Sequence, residues 1–133
     1  MKISTRLIAV VFILTSFFAT SQTLVTNLKK KNLGIYQGEI PSYNYLMDTL
    51  SISVDKTLIE ILLTDNAINI TIGRINKKGS YHILFKGKDY YVIDAFFEGD
   101  ILTERLVLNE KRKTIMREGS YPQPNATLKK SKK

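Results

Sequence analysis

Four carboxylates, Asp94, Glu98, Asp100 and Glu104, fall within one short stretch, and paired acids are where general acid–base chemistry is sought first. Asp94 and Glu98 stand at even spacing, so on a strand they share a face. Four residues at roughly 3.3 Å each separate them by about 13 Å, beyond the usual span of a glycosidase pair. Charges on a solvated strand face explain them more simply. The chain has a single His, His82, and no Cys, which removes thiol catalysis, thiolate metal sites and multi-histidine centres. Within "SYHIL" that histidine reads as an outward or hydrogen-bonded strand residue. No glycine-rich phosphate loop or nucleophile elbow is present. The expectation is a protein that is not an enzyme and needs neither metal nor cofactor.

Two other residue types are spaced in ways that bear on binding. Tyrosines recur along the chain, and Tyr36, Tyr43, Tyr45, Tyr81 and Tyr91 are candidates for the mouth of a pocket, where an aromatic body with a polar tip suits an amphiphilic ligand. The competing reading makes them core or girdle residues of a sheet. Lysines gather at Lys29, Lys30 and Lys31 and again at Lys129, Lys130, Lys132 and Lys133. Such runs are ordinarily solvated tails; functionally they would contact an anionic surface.

The formal net charge of +8 overstates how basic the body is. Between positions 32 and 128 there are 11 basic and 12 acidic residues, so the excess sits at the two ends of the sequence. Nucleic acid is not expected as a partner.

The segments that would carry these residues follow from local pattern. "MKISTR" followed by the apolar run Leu7 to Ala19, with Ala19 and Ser21 placed before Gln22, is built like a signal peptide and is shorter than a membrane-spanning helix. Residues 1–21 are therefore expected to be cleaved, leaving an exported, periplasmic or extracellular protein without a transmembrane anchor. Residues 22–32 read as a basic flexible segment, 33–128 as one domain, and 129–133 as a disordered lysine-rich tail.

Inside that domain the hydrophobic period is two. Leu50, Ile52 and Val54 alternate with serines, and Ile68, Ile70 and Ile72 alternate with Asn69 and Thr71, the pattern of half-buried antiparallel strands. "TLIEILLT", "GSYHILFK", "DYYVIDAFFE", "DILTERLVLN" and "KTIMRE" are rich in β-branched and aromatic residues, as strands prefer. Links of two or three polar residues separate most of them, which joins antiparallel neighbours. With "LGIYQGEI" as an opening strand this makes about eight, and "NATLKK" is a possible ninth. The fold expected is all-β, a small antiparallel up-and-down meander closed into a barrel so that no edge is left open. Pro122 and Pro124 should carry the chain across one end of it.

The stretch from Leu33 to Thr57, with "GIYQGEIP" leading into alternating hydrophobics, resembles the start of the lipocalin-like N-terminal domain of envelope copper-resistance lipoproteins. Ser42 and Tyr45 stand where that family has a Cys-x-x-Cys pair. The resemblance implies a calycin-type barrel of the cell envelope, and the missing cysteines remove its metal chemistry. Two functions follow as expectations: a carrier of a small apolar or amphiphilic molecule inside the barrel, or an interaction module that binds an envelope protein or polyanion through its outer face and basic tails. A hollow interior would favour the first and a plugged one the second.

Overall fold

The computed structural model describes residues 27–132. The expected signal segment, its cleavage before Gln22, and Lys133 lie outside the described residues.

Ten strands are formed among the described residues: β1 (Gly34–Ile40), β2 (Tyr43–Met47), β3 (Leu50–Val54), β4 (Thr57–Leu63), β5 (Ile68–Ile72), β6 (Ile75–Lys86), β7 (Tyr90–Phe97), β8 (Glu104–Asn109), β9 (Thr114–Arg117) and β10 (Ala126–Lys130). Eight of them close an antiparallel barrel in the order β1-β10-β9-β8-β7-β6-β5-β4. From β4 to β10 each strand pairs with the next in the chain, as short polar links require. Closure comes from β1, which pairs with β4 from Gly34↔Leu63 to Ile40↔Thr57 and on its other edge with β10 from Tyr36↔Lys130 to Gly38↔Leu128.

The membership of the barrel differs from the expectation in one place. "DTLSISVD" was expected as a barrel strand, but it supplies β3, which pairs only with β2 in a separate hairpin. Its partner β2 is formed by Tyr43–Met47, just upstream. The eighth barrel strand is instead "NATLKK". A period of two reports that one face is covered, and says nothing of which neighbour does the pairing. Here the edge of β4 is already taken by seven residues of β1, so the link Asp55-Lys56 joins two strands that do not pair.

The inward positions alternate as the pattern demands. Tyr36 and Ile40 of β1, Ile59, Ile61 and Leu63 of β4, Ile68 and Ile70 of β5, and Tyr91, Ile93, Ala95 and Phe97 of β7 are buried, and Leu106, Leu108, Ile115, Ala126 and Leu128 complete the filling from the other side. Each such Ile or Leu side chain contributes about 1.5–3 kcal/mol relative to exposure. Gly38 lies where β1 runs tightly against β10: a Cβ there would stand 2.5 Å from the Thr127 carbonyl oxygen. Only glycine allows the two backbones to meet at that seam.

The described parts of both terminal segments, residues 27–32 and 129–132, are part of this body, in contrast to the flexibility expected of them. Leu28 joins the core, and a 3-10 turn at Lys30–Asn32 buries Asn32 against the barrel. At the other terminus Lys129 and Lys130 are ladder residues of β10, and the Ser131 N–H donates to the Ile35 carbonyl at 2.7 Å. Backbone groups on the open edge of β1 need partners, and the C-terminal residues provide them.

Candidate functional site

Antiparallel alternation assigns every connection to one end of the barrel or the other. One end gathers the entering segment 27–33, the turns 64–67, 87–89 and 110–113, and the chain after β10. The opposite end gathers the long connection 41–56 with its β2–β3 hairpin, the turn at Gly73-Arg74, and the loops 98–103 and 118–125.

The first end is basic. Lys29, Lys30 and Lys31 enter there, Lys129, Lys130 and Lys132 leave there, and Lys86 and Lys88 from one turn and Lys111, Arg112 and Lys113 from another complete the group. Against these eleven cations stand Asp65, Asp89 and Glu110. The sequence separates these lysines by as much as a hundred positions, whereas the fold ties them together through direct contacts. Lys130 Nζ donates to the Lys31 carbonyl, and the Lys130 N–H donates to the Lys113 carbonyl at 2.9 Å. Lys31 pairs with Glu110 at 3.1 Å, and the Glu110 N–H donates to the Asp89 carbonyl at 2.8 Å. The turn cations are candidate residues that sequence reading missed: Lys86, Lys88 and the run Lys111, Arg112 and Lys113 read as turn charges in a body of near-neutral charge.

Beneath the cations lies a layer of buried polar groups. The Tyr36 hydroxyl donates to the Asn32 carbonyl at 2.8 Å, and burial pushes its pKa up to about 12. Burial, and then the adjacent Glu110 carboxylate, push Tyr91 up to about 12 as well. Burial acts to raise the Glu110 carboxyl, but the Tyr91 hydroxyl and the Lys31 ammonium outweigh it and hold Glu110 below the ordinary carboxylate range. Lys86 Nζ sits 5.4 Å from the centre of the Tyr91 ring, a cation–π arrangement. Asn32 Nδ2, the Tyr91 hydroxyl and Glu110 Oε1 have no hydrogen-bond partner among the described residues.

The five tyrosines do not converge. Tyr36 and Tyr91 are interior residues at the basic end. Tyr81 is half-buried, and its hydroxyl donates to the Thr64 carbonyl at 2.6 Å; burial, then Asp65, raise its pKa. Tyr43 and Tyr45 stand on the hairpin at the far end, ring centres 6.3 Å apart, with Tyr43 packed against the core. Three of the four carboxylates read as a possible chemical group are spread into ion pairs, and Glu98 is exposed. Asp94 meets Arg105 at 3.4 Å, Asp100 meets Lys77 at 2.9 Å, and Glu104 binds the buried Arg117. His82 is exposed and stacks edge-on with Phe96 at 5.0 Å.

The far end has the opposite chemistry. Leu46, Met47 and Leu50 at the hairpin tip, Ile101 and Leu102 in one loop and Tyr121 in another are exposed, and the acids Asp48, Asp55, Glu98, Asp100 and Glu118 there outnumber the loop cations Lys56 and Arg74. Clefts of about 360 and 220 Å³ open among residues 94–105 and 118–120. A further cleft of about 470 Å³ lies along Gln37, Glu39, Leu58, Glu60 and Thr71 on the outside of β1, β4 and β5. No family model, no curated protein and no solved structure matches this chain.

Proposed function

We propose that this is an exported, non-catalytic interaction module that binds an anionic surface through the basic end of its barrel. The observation that carries the reading is the gathering of eleven cations from four separate segments onto one end of a barrel whose interior is occupied by its own side chains. Charges within a Debye length of one another sum into a single field. An anion meeting this end therefore meets many cations at once. The ring of interior residues that includes Ile61, Ile93, Leu106, Leu108 and Leu128, each fully buried, supports this reading over that of a carrier, which would need that volume for its ligand.

Binding of this kind is sensitive to salt, because exposed charges are screened. Replacing Lys111, Arg112 and Lys113 by Gln should weaken retention on a polyanionic resin and lower the salt concentration needed for elution. These side chains lie on a turn outside the core, so the melting temperature should hold. Retention unaltered by either salt or the triple change would remove the basic end as the binding face.

A further inference from the structure

The reading of a basic end leaves open what kind of anion it meets, and the tip of the β6–β7 hairpin bears on that question. Leu84, Phe85 and Tyr90 are exposed there by 52%, 53% and 39%, with Lys86 and Lys88 between them in the chain. Strand alternation would turn one of two successive residues inward. The pairing register shifts between Ile83 and Phe85, and this irregularity leaves Leu84 and Phe85 both facing out. Bulges re-aim side chains in this way.

The apolar tip is held in shape by its turn. The Gly87 N–H donates to the Tyr90 carbonyl at 2.8 Å. The Tyr90 ring occupies the space a Cβ on residue 87 would need, 2.2 Å from it, and lies 5.8 Å from the Phe85 ring. The neighbouring turn, with Lys111, Arg112 and Lys113, is tied to this one through Glu110 and Asp89. A small apolar projection is thus flanked by cations on one end of the molecule.

Resting on the proposed basic binding face, we infer that its target is an anionic lipid bilayer, with the Leu84–Tyr90 tip entering the interface. A bilayer offers both halves of the required chemistry, phosphate at the headgroups and hydrocarbon beneath them, and the combination of one apolar element with a polybasic patch is what reversible membrane attachment needs. A soluble polyanion would satisfy the lysines and leave Leu84 and Phe85 in water. Lysines close to such a surface are each worth roughly fivefold in affinity.

The test is co-sedimentation of the exported protein with vesicles of equal parts phosphatidylcholine and phosphatidylglycerol, run beside elution from heparin resin. Changing Leu84 and Phe85 together to Ser should weaken vesicle binding at least tenfold and leave heparin elution where it was. Changing Lys86 and Lys88 to Gln should weaken both. Both apolar side chains are exposed, so matching melting curves for variant and parent are expected. Vesicle binding equal to the parent in the Leu84/Phe85 variant would overturn the membrane inference and leave the basic face standing. A parent that elutes late from heparin but ignores vesicles would also overturn it, in favour of a soluble polyanion. A parent that binds neither would bring down the basic face itself.

Discussion

The two ends of the barrel are mirror cases of what a sequence pattern promises. At the basic end, charge runs of the kind that normally stay in solvent are fixed to the body by Leu28, by the buried Asn32, by the Lys31–Glu110 pair and by the β10 ladder. At the opposite end, an alternating apolar segment of the kind that normally forms a core strand becomes a hairpin whose tip residues Leu46, Met47 and Leu50 remain exposed. Burial follows the availability of a partner. β1 offers its free edge and the barrel its open mouth to the basic segments, while the hairpin finds its pairing within itself.

The seam that brings the two termini together gives the largest expected effect. Gly38→Val would drive a side chain into the Thr127 backbone, 2.5 Å away at its first carbon, and should destabilise by about 3 kcal/mol or more through forced separation of β1 from β10. Chemical denaturation measures it; a loss under about 1 kcal/mol would show that the seam relaxes freely and that the termini are less tightly held than the contacts imply.

Next comes the direct contrast between ends. Leu28→Ala should cost about 2–3 kcal/mol, as truncation of a buried leucine does, whereas Leu50→Ala, at an exposed tip, should change stability by less than about 0.5 kcal/mol. Equal effects in paired melts would mean that the ends do not differ in the way described. Removal of Lys129 onward should be intermediate. Sequence pattern alone would leave stability untouched, but the loss of the backbone bonds from Lys130 to Lys113 and from Ser131 to Ile35 should cost about 1–2 kcal/mol.

The smallest effect is a pH dependence confined to the basic end. A tyrosine whose pKa is raised on folding keeps its proton in the native state at a pH where the unfolded chain has lost it, so its contribution is fully present below pH 10 and declines as pH climbs toward about 12. Tyr36→Phe removes that titration. It should flatten the alkaline fall in melting temperature while costing about 1 kcal/mol at neutral pH for the lost bond to Asn32. The matching change Tyr91→Phe, whose hydroxyl has no hydrogen-bond partner among the described residues, should cost less at neutral pH; an equal or larger cost there would show that the hydroxyl bonds to the adjacent Glu110 in solution.

Much of the frame was legible from residues alone. Period-two alternation in Ile68–Ile72 and along β4 and β7 marks strands because a pleated backbone sends successive side chains to opposite faces, and the short polar links mark hairpins because only antiparallel neighbours can be joined so briefly. The all-β class, the meander and the closure into a barrel follow from those local facts together with the need to satisfy strand edges. Tertiary structure decided the rest. Whether "DTLSISVD" or "NATLKK" takes the eighth place depends on competition for the edges of β1, which no local window contains. The basic face is likewise absent from any stretch of the sequence: Lys31, Lys88, Arg112 and Lys130 are far apart along the chain and come to one end only because an even number of antiparallel strands returns the start of β1, the finish of β10 and alternate turns to the same end.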